Sequence, residues 1–191
     1  NDMADPANYA KAAEMIDMGQ LADLTAMHLY IYNKDGIFQN NNWQMWRARE
    51  VDDSIPAADG KWRFLSYDVD FSSGVYDGGK THTEDNISPV LLDPVEHEHR
   101  HTALLVRALW RNIYFDANRY AGIFREFRAQ YEPYMPETFR RFGPNWVAGW
   151  ADEYYTQKLD EITTFFGGRY KSFPWMMKKV FALSEPYDVS I

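Results

Sequence analysis

A group of carboxylate and amide side chains in the first half of the chain has the types and spacing for phosphate chemistry. Asp35 stands in a polar loop, Asn33-Lys34-Asp35-Gly36-Ile37-Phe38-Gln39-Asn40-Asn41-Asn42, that closes on consecutive asparagines. Asp68 and Asp70 follow a short aromatic segment further on. Phosphoryl transfer asks little covalent chemistry of a protein. One carboxylate orients the attacking hydroxyl, while an amide and a second carboxylate hold a divalent ion against the phosphates. Magnesium takes hard oxygen ligands, so Asp, Asn and a further Asp suit it better than histidines would. Asp35 fits the first role, and Asp70 with an asparagine of the loop fits the second. Asp and Asn in loops are also ordinary turn formers, so the elements that carry them matter.

Those elements can be read from periodicity. Residues 7–32 set Leu21, Leu24, Thr25, Met27, His28, Ile31 and Tyr32 at helical spacing, which predicts one increasingly apolar helix running into the loop. Trp43 to Arg49 and Lys61 to Tyr67 are short and aromatic-rich around the turn-forming stretch Asp52 to Gly60, and predict a β-hairpin. A hairpin returns the chain to where the loop began, which would bring Asp68 and Asp70 back towards Asp35. Residues 72–89, rich in Gly, Ser, Thr and Asp, predict a long loop. From Thr102 the pattern is helical, with Ala103, Leu104, Val106, Leu109 and Trp110 on one stripe and Tyr120, Ile123, Phe124 and Phe127 on another. Pro133 and Pro136 predict an interruption, Pro144 a helix start and Gly167-Gly168 its end. Trp175 to Leu183 predicts a last short helix. The expected fold class is α+β and mostly helical, in a single domain over residues 1–191.

Two stretches carry a family resemblance. Tyr32-Asn33-Lys34-Asp35-Gly36, followed by Asn41-Asn42-Trp43-Gln44-Met45-Trp46-Arg47, resembles the catalytic segment of the spore-coat CotH family of atypical protein kinases. Gly60-Lys61-Trp62-Arg63-Phe64 running into Asp68-Val69-Asp70-Phe71-Ser72-Ser73-Gly74 resembles that family's following segment. The likeness covers roughly residues 15–75 with sharp motifs, and residues 102–183 only as a helical tail of similar character. It implies a protein-kinase-like C-terminal lobe with Asp35 as catalytic base, Asn42 as amide ligand, and Asp70 with Asp68 as metal-binding acids. It implies Mg2+, or Mn2+ or Ca2+, as the ion, ATP as co-substrate and a protein hydroxyl as acceptor. The common kinase spacing from Asp to Asn points instead to Asn40, so both amides stay candidates. Tyr67 stands where the family usually has Trp and would wall the nucleotide site.

A kinase also needs a phosphate-covering loop and a phosphate-pairing lysine. No Walker-type glycine motif is present. The expectation is therefore the C-terminal lobe of a longer protein, poorly active in isolation, whose partners are a protein substrate and its own N-terminal lobe. The likeness also implies a bacterial secreted or cell-surface location. The competing expectation is a non-catalytic binding or scaffold module of a secreted assembly with a structural ion, and a third is a metal-dependent hydrolase using the same carboxylates.

Composition narrows the field. A net charge of −8 and a pI of about 5.1 argue against a nucleic-acid partner, which needs a basic face. There is no cysteine, hence no disulfide or thiolate metal site, and no apolar run long enough for a membrane span. Aromatic residues make up 17% of the chain, enough to fill a core and line a groove. Glu96-His97-Glu98-His99-Arg100-His101 is a metal-like run, but with no downstream His or Cys to offer a fourth ligand it reads as a solvated helix entry. His28, on an apolar helix face, reads as a hydrogen-bonded core residue that braces the loop. Arg119, Arg125, Arg128, Arg140 and Arg141 read as helix-surface salt-bridging residues.

Overall fold

The first helical pattern is broken near its middle. Helix α1 (Pro6–Met15) begins with Pro6 in its first turn, and the Asp5 carboxylate accepts the Ala7 N–H at 2.8 Å. Helix α2 (Met18–Tyr30) begins separately, with Asp17 accepting the Gln20 N–H at 3.0 Å. Between them Ile16 is extended (φ −121°, ψ 138°) and bridges Trp62 in parallel. The Asp17 N–H donates to the Trp62 carbonyl at 3.0 Å and the Trp62 N–H to the Met15 carbonyl at 2.8 Å. The single helix expected over 7–32 is thus two. A capping Asp offers the backbone a competing bond, and the hairpin takes the backbone groups that a continuous helix would have used.

The computed structural model describes residues 5–36, 41–75, 78, 117–146 and 152–180. These fall into two compact units, the first holding α1, α2 and the hairpin, the second the later helices. Among the described residues the architecture is α+β and mostly helical, with one two-stranded antiparallel sheet, matching the expected class. No described helix is long and apolar enough to cross a membrane.

The hairpin is shorter than its aromatic segments suggest: β1 (Trp43–Trp46) pairs with β2 (Arg63–Ser66) in the register Trp43↔Ser66 to Trp46↔Arg63. Its connection is held by its own polar atoms, since Asp52 Oδ1 accepts from both the N–H and the hydroxyl of Ser54 at 2.9 and 2.6 Å. Gly60 closes it at φ 76°, where a Cβ would be strained and would press on Val51 at 3.2 Å. Arg63 then ties hairpin to helix. Its guanidinium grips both oxygens of Asp59 at 2.8 and 3.0 Å, reaches Asp17 at 3.0 Å and donates to the Ala57 carbonyl at 3.0 Å. The Gln20 side chain gives to the Phe64 carbonyl (2.7 Å) and takes from the Phe64 N–H (3.0 Å), so it pairs with β2 as a neighbouring strand would. Lys61 Nζ meets the Ala13 carbonyl at 2.7 Å near the end of α1, where helix carbonyls lack intrahelical donors. The core of this unit is Tyr9 with Ala22, Leu24, Ala26, Leu29 and Tyr30 of α1 and α2.

In the second unit α3 (Ala117–Tyr131), a 3-10 turn (Glu132–Tyr134) and α4 (Met135–Trp146) precede the long α5 (Asp152–Val180). Pro133 and Pro136 mark the expected interruption. Pro144, expected to open a helix, lies inside α4, and α5 runs through Gly167-Gly168 instead of stopping there. The helix expected over Trp175–Leu183 is the end of α5 as far as Val180. The physical reason is packing. Phe165, Phe166, Arg169 and Phe173 are buried on both sides of the glycines, and Phe166 stacks on Phe124 of α3 at 5.0 Å. Burying a Phe contributes about 1.5–3 kcal/mol, against about 1 kcal/mol for a helical Gly. On α3 itself the packed edge is Phe124, while Ile123 and Phe127 from the same predicted stripe are exposed.

Candidate functional site

Three backbone segments of the first unit meet at the open end of the hairpin. The α2 C-terminus runs into 33–36, the entry to β1 is 41–42, and the exit from β2 is 67–71. Because Trp43 pairs with Ser66, Asn42 and Tyr67 come next in register, and the Tyr67 N–H donates to the Asn42 carbonyl at 3.1 Å. The Lys34 N–H donates to the Phe71 carbonyl at 3.0 Å, fastening the loop to the residue after Asp70. The Asn41 N–H bonds the Gly36 carbonyl at 3.2 Å, closing the loop's neck. Tyr32, Asn42 and Asp68 are all left-handed, at φ 53°, 50° and 42°. Asn and Asp tolerate that region and Tyr seldom adopts it, so the surroundings hold the backbone there.

Asp35 lies at the centre of this neck. Its Oδ1 accepts from Asn41 Nδ2 at 2.7 Å, and its Oδ2 from Asn42 Nδ2 at 2.9 Å. Asn42 Nδ2 also reaches the Asp35 carbonyl at 2.9 Å, so one amide pins both backbone and side chain. Each Asp35 oxygen keeps a further lone pair. Asn42 donates through its nitrogen, which leaves Oδ1 as the atom that could face a cation. Below the loop, Asn33 Oδ1 accepts the Asp35 N–H at 3.0 Å and Asn33 Nδ2 lies 2.9 Å from His28 Nδ1.

Asp68 and Asp70 are exposed and face each other, and the Asp70 N–H donates to Asp68 Oδ1 at 3.2 Å. The Asp70 carboxyl is pushed above its usual range by partial desolvation, then by the hydrogen-bonded, like-charged Asp68 and by the charge of Asp35. A carboxyl raised by its acidic neighbours in this way marks a place where positive charge is favourable, and hard carboxylate oxygens suit a divalent cation. Among the described residues no three His, Cys, Asp or Glu side chains gather closely enough to hold an ion by themselves. The Asn42 amide oxygen and phosphate or water would have to complete the shell.

The structure therefore brings Asp35, Asn42, Asp68 and Asp70 to one end of one hairpin. Tyr67 sits beside them, 60% exposed. Asn40, His82 and the run Glu96 to His101 lie outside the described residues, as does the helical stripe from Ala103 to Trp110. Sequence reasoning passed over Asn41 and Asn33. The signal for Asn33 was its spacing two residues before Asp35, which suits an Asx turn. His28 is in the core as expected, with 1% exposure.

No model of a known family, no curated protein and no solved structure matches this chain.

Proposed function

We propose that the first unit is the catalytic-lobe half of a CotH-like phosphotransferase, which moves the terminal phosphate of ATP to a protein hydroxyl. The observation that carries this reading is the convergence of Asp35, Asn42, Asp68 and Asp70 in the chain order that phosphoryl transfer uses. Asp35, oriented by two amides, accepts the proton of the attacking hydroxyl at a free lone pair. Asn42 Oδ1 and the Asp70 carboxylate, with Asp68 beside it, hold Mg2+ or a similar ion. When bound, the ion neutralises charge on the phosphates. The exposed Tyr67 ring offers a wall for the nucleotide base.

The first test is Mn2+ titration followed by NMR. Broadening centred on the amides of Asp35, Asn42, Asp68 and Asp70, and its loss in D70N, is the expected result. Broadening confined to other residues would remove the reading. In a form that carries its nucleotide-gripping lobe, D35A should abolish transfer while leaving the melting temperature near that of the wild type. A second reading rests on the amide grip upon Asp35, which also suits a structural ion in a scaffold module. Ca2+ raising the melting temperature with no added effect of nucleotide would favour it.

A further inference from the structure

Asn33 links a buried imidazole to the candidate catalytic carboxylate, and its bonds determine where the imidazole proton sits. A backbone N–H only donates, so the Asp35 N–H, 3.0 Å away, identifies the Asn33 atom facing it as the acceptor oxygen. The other end of the amide is then the NH2 group, and it lies 2.9 Å from His28 Nδ1. An NH2 group donates, so Nδ1 must present its lone pair. A neutral ring that answers this geometry carries its hydrogen on Nε2, a buried atom. Burial, which pushes the His28 imidazole below its usual range, agrees with a neutral ring. Protonation at Nδ1 would set donor against donor.

The same ring sets the shape of the turn. Gly36 packs so closely that a Cβ there would lie 2.9 Å from both His28 Nδ1 and Asn33 Nδ2. The Asn33 N–H also donates to the His28 carbonyl at 3.0 Å, so residue 28 holds residue 33 through its backbone as well as its side chain. Asp35 is oriented from below by the path His28, Asn33, Asp35 N–H, and from above by Asn41 and Asn42.

We propose that His28 is a positioning residue for Asp35: as the Nε2-protonated imidazole it accepts from Asn33, and through that amide it sets the backbone direction of the loop. This rests on reading Asp35 as the catalytic carboxylate, but its test needs neither metal nor nucleotide. Long-range proton–nitrogen NMR correlations on the 15N-labelled chain at neutral pH should show His28 as the Nε2–H tautomer. Two variants separate accepting from space-filling. H28N can present its amide oxygen where Nδ1 was, whereas H28L fills more of the space and accepts nothing. Hydrogen exchange of the Asp35 amide should speed up by about tenfold in H28L and by less than about threefold in H28N. A residue that serves only to fill the core would show the opposite order.

An Nδ1–H or doubly protonated ring in the wild type overturns the proposal, and that measurement stands even if H28L fails to fold. Equal exchange rates in H28L and wild type, or equal acceleration in the two variants, also overturn it. If these outcomes hold while Mn2+ fails to find Asp70, the loop brace survives and the phosphotransferase reading does not.

Discussion

Asp70 holds its proton more tightly in the folded chain than an ordinary Asp does, because it is partly desolvated and faces Asp68 and Asp35. The sign follows from linkage. A raised folded-state pKa favours the fold when Asp70 is protonated, and that contribution is lost as pH rises through the raised value. At neutral pH without metal, D70N should therefore melt higher than the wild type. Mg2+ should raise the melting temperature of the wild type and leave D70N unmoved, which calorimetry with and without the ion would show. Gly36 gives a second prediction. Its missing Cβ is what lets Asn33 reach His28, so G36A should cost about 1–3 kcal/mol through forced displacement of that pair, read from urea unfolding. Asp35, Asp68 and Asp70 were legible as candidates because acids in a polar, asparagine-closed loop and just after a predicted strand are the residue types, in the order, that phosphoryl transfer uses. The brace by His28 and Asn33 was only partly legible, because a hydrogen bond between residues five apart depends on how α2 ends.

At the level of elements, the hairpin is positioned by Arg63 and Gln20 as much as by its ladder. The Arg63 fork holds Asp59 well below the usual carboxylate range, at about 2. A depressed folded-state pKa contributes stability that is present above the ordinary value of 3.8 and is lost as pH falls towards about 2. Acid unfolding of the wild type should steepen across that window, and D59N should lack that component, as circular dichroism against pH would record. Later in the chain, Phe166 is 2% exposed and stacks on Phe124, so F166A should cost about 3–5 kcal/mol by leaving a cavity between α3 and α5. The hairpin was foreseeable from two short aromatic-rich segments around a turn-rich stretch. The split between α1 and α2 was not, since apolar spacing continues through Ile16 while its backbone pairs with Trp62 instead.

For the whole molecule, net charge bears on what it binds. A net charge of −8 leaves no general attraction for nucleic-acid phosphates, so electrophoretic mobility of duplex DNA at physiological salt should be unchanged by the chain. On the proposed reading as a catalytic lobe, the chain by itself, given Mg2+ and ATP, should not phosphorylate itself, because a kinase draws its phosphate-covering glycine loop and phosphate-pairing lysine from its other lobe. Clear autophosphorylation in a radiolabel assay would show that a complete site is present and would overturn the half-site reading.

By itself the sequence determined the class, α+β and mostly helical, since periodicity and turn chemistry are local properties that each segment carries with it. It also offered the candidate side chains, Asp35, Asn42, Asp68 and Asp70. Only the tertiary structure decided which of them meet. Asn42 joins Asp35 because the register Trp43↔Ser66 leaves residue 42 opposite residue 67, and Lys34 is fastened to Phe71 across the end of the hairpin. It likewise decided that Gly167-Gly168 stays helical, because burial of the aromatic residues on either side outweighs what two glycines cost a helix.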